Sequence, residues 1–399
     1  MGSNKLINKS TESHNLRILN FCFALDLHRG GVPNGIYITL MNLAHNSVAG
    51  GVVSFGNTKK QRLRNLQTFK NLKNAGVELF VGNSPLENEY GLGALSQYFR
   101  FTSFVSKPDL VVIRQIYSIS SLIGFKYARR EMIPYAVVPH GSLMNYDETK
   151  SRFLKFIAKK LFVNKMLELA GVIVVTSPIE RNQLPPKIID KSIIIPYGIE
   201  NLPRKKSVSN STTTYSNVPH ILFSGRFDPK KNLDLLISSL PKILSLYPNL
   251  ILDIAGSGSP KQVSRIKKLA EYLGVQDNIV FHGWVNQIRM AKLYNDSQVL
   301  VLPSTNENFA QVITEALSFS LPCIVSKNVG TSYLIEQFGA GQILSEISSA
   351  EIARKVIMVL QGNHEDYANS ARRAISEELS WNRISREWLK IAETCLHLD

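Results

Sequence analysis

Short apolar runs alternate with helix-patterned stretches through almost the whole of this 399-residue chain. The runs are 16–23 (LRILNFCF), 77–81, 110–113, 135–138, 172–176 and 193–195, then 220–227, 250–255, 279–284, 299–302 and 323–326. Each is too short for a buried helix and is rich in Val, Ile and Leu, so it reads as a strand covered on both faces. Strands that alternate with helices form parallel sheets, because a parallel pair needs a crossover between its members. Residues 201–219 (NLPRKKSVSNSTTTYSNVP) break the alternation with a polar, Ser- and Thr-rich stretch that reads as a linker. The chain therefore divides into a polar lead at 1–15, a first α/β domain at 16–200, the linker, and a second α/β domain at 220–375. An amphipathic helix follows at 376–399.

The segment 303–326 carries the clearest chemistry. Glu307 and Glu315 stand with seven residues between them, after a strand and along a helix-patterned run that Pro322 ends. Glu307 thus occupies the loop at the carboxyl end of a strand, where open α/β sheets bind ligands. With a helix starting near Asn308, a rise of about 1.5 Å per residue puts the two carboxylates roughly 10 Å apart. The free N–H groups of Phe309, Ala310 and Gln311 would lie between them and form an anion site. A nucleoside-diphosphate sugar has that layout: ribose hydroxyls, two phosphates, sugar hydroxyls. A solvated loop glutamate favoured by the helix dipole, followed by an ordinary exposed helix glutamate, fits the same spacing.

A second cluster follows the strand HILFSGRF. Asp228 suits an N-cap and Pro229 the first helical position, which puts Lys230 and Lys231 in the first turn. Cations are unfavourable there unless an anion sits at that helix end; solvated lysines are the alternative. In the first domain the strand at 16–23 runs into HRGGVPNG and a helix-like stretch at 36–44. Gly30 and Gly31 there either admit a phosphate or make a plain tight turn. His140 ends the strand PYAVVPH, as a cleft residue or a capping one.

Taken together, these segments resemble glycosyltransferase family 4, whose signature is E-x7-E and whose members are retaining enzymes. The resemblance implies the GT-B fold: two Rossmann-like parallel-sheet domains facing a central cleft, with a terminal helix that crosses back to the first. It implies that Glu307 contacts the donor sugar, that Glu315 binds the ribose, and that the backbone of Asn308, Phe309, Ala310 and Gln311 meets phosphate and sugar. The segment GRFDPKKN is similar to the family's GRxxxxKG clamp, which assigns Arg226 and Lys231 to the diphosphate. Gly30 and Gly31 would face the donor phosphate and His140 the sugar hydroxyls. IVFHGW resembles the segment near the nucleotide base, although core packing is the default for Trp284. The family often has glycine where Asn232, Asn308 and Ala310 stand, and asparagine where Tyr197 stands in IPYGIE.

The net charge of +15 is uneven: 25 Lys and Arg face 13 Asp and Glu in residues 1–200, against 21 and 18 in the remainder. An anionic partner on the first half follows from that field. The basic amphipathic stretch 150–165 sets Phe153, Phe156, Ile157 and Leu161 against Arg152, Lys155, Lys159 and Lys160. It either lies on an anionic membrane surface or packs its apolar face on the core. Three scattered cysteines suggest a reducing cytoplasmic setting, and no apolar run reaches the roughly 18 residues that span a bilayer. No nucleic-acid module is visible. No DxD triplet occurs, so no metal site and no cofactor are expected. The expected partners are a UDP- or GDP-sugar donor and a glycan or lipid-linked acceptor in surface polysaccharide or lipopolysaccharide synthesis. A nucleotide-sugar epimerase or a non-catalytic sugar-binding paralogue is the alternative.

Overall fold

The computed structural model describes residues 16–27, 31–45, 48–55, 57–82, 106–144, 152–199 and 218–396. Two parallel sheets organise them. The first has seven strands: β1 (Arg17–Cys22), β2 (Ala49–Ser54), β3 (Glu78–Val81), β4 (Leu110–Arg114), β5 (Tyr135–Val138), β6 (Val172–Val175) and β7 (Ser192–Ile194). Their spatial order is β3-β2-β1-β4-β5-β6-β7. The second has six: β8 (His220–Ser224), β9 (Ile251–Ala255), β10 (Ile279–Gly283), β11 (Val299–Leu302), β12 (Cys323–Ser326) and β13 (Gly341–Leu344), in the order β10-β9-β8-β11-β12-β13. Every ladder is parallel.

Side-chain alternation explains why both faces are covered. Leu19, Phe21, Val111, Ile113, Val137, Ile173 and Val175 belong to one apolar cluster of the first sheet. Ile18, Leu110, Val112, Ala136, Val138, Val172 and Val174, their neighbours in sequence, belong to another. A two-residue period that is apolar at both phases leaves neither face for water. The helix Trp381–Leu396 closes the second of these clusters with Ile384, Trp388, Ile391 and Ala392. The last segment of the chain is thus part of the first domain's core.

In each sheet the strand order reverses beside the first strand, between β1 and β4 and between β8 and β11. Ligands of open α/β sheets bind outside the carboxyl ends at such points. Two strands lie beyond the runs expected from sequence. β2 (AGGVVS) is diluted by glycine, and β13 (GQIL) is only four residues long.

Replacing Trp388, which is 4% exposed, with alanine should cost about 3–5 kcal/mol. Chemical denaturation would show it as a lowered midpoint for the first domain. An unchanged midpoint would mean that the terminal helix is only loosely attached.

Candidate active site

The loop after β11 is moored at its backbone. Glu307 pairs with Val329 in an isolated bridge: its N–H donates to the Asn328 carbonyl (3.1 Å) and its own carbonyl accepts from Gly330 (2.9 Å). Gly330 is required here, because a Cβ on it would stand 1.7 Å from the Asn308 carbonyl oxygen. The helix that follows begins at Gln311, three residues later than the sequence suggests. Ala310 precedes it in the left-handed region (φ 62°, ψ 70°), a conformation that costs a residue with a Cβ roughly 1–2 kcal/mol. That kink accounts for the glycine the resembling family often has at this position. Among the described residues, the N–H groups of Asn308, Phe309, Ala310 and Gln311 donate to no backbone carbonyl outside the helix.

The turn after β8 also differs from expectation. Pro229–Lys231 form a separate 3-10 turn capped by Asp228, and the helix proper starts at Leu233. Asn232 lies between them in the left-handed region, which asparagine tolerates. Its side chain donates to the Pro303 carbonyl (2.7 Å) and to Thr305 Oγ1 (3.0 Å), while the Thr305 N–H donates to the Lys230 carbonyl (2.7 Å). The two strand-end loops are therefore one unit. Across them, Lys231 Nζ lies 2.7 Å and Lys230 Nζ 3.6 Å from Glu307 Oε1. Arg226, just after β8, is exposed.

The first domain meets this unit at several points. Asn308 Nδ2 donates to Thr176 Oγ1 (3.0 Å), Gln311 Oε1 stands 3.2 Å from where a Cβ on Gly31 would be, and Phe309 packs edge-on against Tyr197 (5.2 Å between centroids). Gly30 lies outside the described residues. His140 is buried with a left-handed backbone (φ 53°), its Nδ1 2.5 Å from the Tyr197 hydroxyl. The Glu180 carboxylate accepts from the N–H of Gly141 and from the N–H and hydroxyl of Thr176, so it fixes the loop that carries His140. Burial pushes the Glu180 carboxyl up, and these hydrogen bonds oppose the shift. Burial, then the Arg114 guanidinium, hold His140 well below the usual histidine value, so its imidazole is neutral.

Between the domains an open cavity is lined by Asn34, Tyr197, Met290, Tyr294, Gln311 and Glu315, among others. Glu315 is neither a freely solvated helix residue nor sealed from the cavity. It accepts from the Tyr294 hydroxyl (2.8 Å), and burial raises its pKa. Trp284, expected in the core, is 71% exposed at the end of β10.

The polar atoms without partners gather at one place. Among the described residues, ten buried side-chain N or O atoms lack a hydrogen-bond partner. Six of the ten belong to His140, Ser304, Asn306, Glu307, Asn308 and Thr331. Glu307 Oε1 meets Lys231 as a charge contact without hydrogen-bond alignment. Buried groups are normally paired, so a cluster of unpaired ones marks where a polar ligand belongs.

Comparison with known proteins concerns the fold and the second half of the chain. Residues 205–377 match the family model described as glycosyl transferases group 1. Residues 205–377, in the second half of the chain, are similar to that family. An uncharacterized glycosyltransferase of Methanocaldococcus jannaschii is 33% identical over 180 residues, 45% of each chain. A probable sucrose-phosphate synthase of Thermosipho melanesiensis is 24% identical over 352 residues, 79% of this chain and 78% of that one. The chain thus spans under half of the first relative and over three quarters of the second. In three dimensions it resembles Anabaena Alr3699/HepE, solved with UDP and glucose, at a TM-score of 0.73 and 16% identity over 95% of this chain and 100% of that one. The fold is that of the GT-B glycosyltransferases, two parallel-sheet α/β domains.

In the second domain Lys231, Glu307 and Asn308 come together, with Glu315 on the helix Gln311–Ser318 lining the cavity. Sequence reasoning misses Glu180, Thr176 and Arg114. Glu180 lies three residues after the N-cap Ser177, a pattern that reads as a helix start and hides the contact with Gly141.

His140 supplies a pH test. A histidine held below its unfolded value of 6.5 contributes stability that is full above that pH and is lost as pH falls below it. His140→Gln should flatten the fall of melting temperature between about pH 7 and 5 in scanning fluorimetry. Parallel curves for the two proteins would contradict the buried, neutral imidazole.

Proposed function

We propose that the chain is a retaining glycosyltransferase of the family 4 type that moves a hexose from a UDP- or GDP-sugar to a glycan or lipid-linked acceptor. The supporting observation is the convergence of unpartnered polar atoms with Lys230 and Lys231 at the carboxyl ends of β8 and β11. In this reading Arg226, Lys231 and the 308–311 backbone neutralise the departing nucleoside diphosphate, so the step needs no divalent ion. Glu307 holds the sugar, Glu315 the ribose hydroxyls, and His140 Nε2 a sugar hydroxyl. The acceptor hydroxyl enters from the first domain and its oxygen bonds to the anomeric carbon as the carbon–phosphate oxygen bond breaks. Its proton passes to the leaving phosphate, and the configuration is retained.

Lys231→Ala should lower turnover about 100-fold or more while the melting temperature stays near that of the wild type. Near-normal transfer by a folded variant would overturn the clamp. Isomerised donor in the absence of acceptor would indicate an epimerase instead.

We also propose that the first domain touches an anionic membrane at the cytoplasmic face, in surface polysaccharide or lipopolysaccharide synthesis. The segment Arg152–Leu169 folds as helix, π-turn and helix. Val163, Met166 and Leu167 pack on the core, but three large apolar side chains of the segment face outward: Phe153 is 73%, Phe156 53% and Leu161 75% exposed. Lys155, Lys159, Lys160 and Lys165 lie among them, with no acidic residue between 152 and 167. Apolar side chains that enter the interface beside lysines that meet lipid phosphates suit such a surface. The protein should sediment with phosphatidylglycerol-containing vesicles and not with pure phosphatidylcholine ones, and Phe153→Ser with Phe156→Ser should release it. Equal sedimentation of the double variant would argue against this face.

A further inference from the structure

Tyr197 stands at the end of the first domain, four residues before the linker region, where the resembling family often has asparagine. Its ring is buried and touches three separate parts of the site. The hydroxyl lies 2.5 Å from His140 Nδ1, and the two rings are nearly parallel, 7° apart, with centroids 5.9 Å apart. One edge contact reaches Phe309 in the donor-side loop. The ring also fills the space over Gly35, where an added Cβ would lie 2.3 Å from Tyr197 Cε1. A glycine inside a helix costs roughly 0.5–1 kcal/mol relative to alanine, and here the tyrosine ring requires it.

The hydrogen-bond arithmetic is restrictive. A neutral imidazole has one N–H and one bare nitrogen. Burial, which outweighs the nearby Arg114, raises the Tyr197 phenol, so it keeps its proton. Among the described residues His140 Nδ1 is the one hydrogen-bond partner of that hydroxyl. The hydroxyl proton therefore goes to Nδ1, Nδ1 is the bare nitrogen, and the imidazole proton sits on Nε2. Nε2 is buried without a partner among the described residues.

We propose that Tyr197 is a positioning residue that holds His140 in the Nε2–H tautomer and keeps that donor available for a hydroxyl oxygen of the bound sugar. The same ring, wedged between Gly35 and Phe309, holds the helix Gly31–His45 in register with the donor-side loop. This rests on the reading of the cleft as the site of sugar transfer. Tyr197 acts through His140 and need not touch the substrate.

The test is a long-range proton–nitrogen NMR correlation on ligand-free protein labelled with 15N-histidine, with His140 assigned by its loss in His140→Gln. Wild type should show Nε2 protonated and Nδ1 bare. Tyr197→Phe keeps the ring and its packing, so it should fold; its His140 should lose the single tautomer. Its kcat should fall roughly 10- to 100-fold with donor KM nearly unchanged, because the donor is held elsewhere and only alignment is lost. A proton on Nδ1 in the wild type overturns the proposal, whatever the variant does. So does an unchanged kcat in Tyr197→Phe. A wild type inert toward every donor but protonated at Nε2 would support the tautomer and overturn the functional reading.

Discussion

The ion pair between Lys231 and Glu307 is the constraint on which the rest of the site depends. Both side chains are nearly out of water, at 13% and 14% exposure. Removing an ion from water costs several kcal/mol, which one charge contact offsets only in part. The arrangement is tolerable because the loops that carry the pair are tied by their own backbones. Thr305 bonds to Lys230, Asn232 to Pro303, and Glu307 to Asn328 and Gly330. Two ammonium groups then face one carboxylate. Beside them, among the described residues, four successive backbone N–H groups donate to no carbonyl outside the helix. An anion of two or more charges suits that field.

The second domain does not make the site alone. Asn308 reaches Thr176, Gln311 meets Gly31, and Phe309 meets Tyr197. These three residues follow Glu307 within four positions, so the element that would grip the sugar also senses the first domain. Glu180 extends the connection: it holds Thr176, the partner of Asn308, and Gly141, the neighbour of His140. Separation of the domains would break these contacts together, and chemistry that needs both halves is coupled to closure for that reason.

Much of this architecture is legible in the sequence. Strand cores such as VLVL and LVVIR announce themselves because burial on both faces demands unbroken apolar runs. Glu307 and Lys231 stand out because charged residues just past such runs fall at sheet ends. The local geometry is less visible. Nothing in NENFAQ says that Ala310 takes a left-handed conformation, so the pattern places the helix start three residues too early. Trp284 and Phe153 deceive in the same direction, since a large apolar side chain is buried by default and exposure depends on what the fold leaves uncovered. Tyr197, Glu180 and Arg114 act through contacts tens of residues distant, which no pattern along the chain records.

We propose that the carboxyl ends of β8 and β11 bind a nucleoside diphosphate through lysines and backbone amides. Calorimetric titration of the full chain with UDP and with GDP, each with and without a chelator of divalent ions, tests it most directly. Saturable heat with at least one of them, preserved in the chelator, is the predicted result. No heat with either nucleotide, or heat that the chelator abolishes, would contradict it.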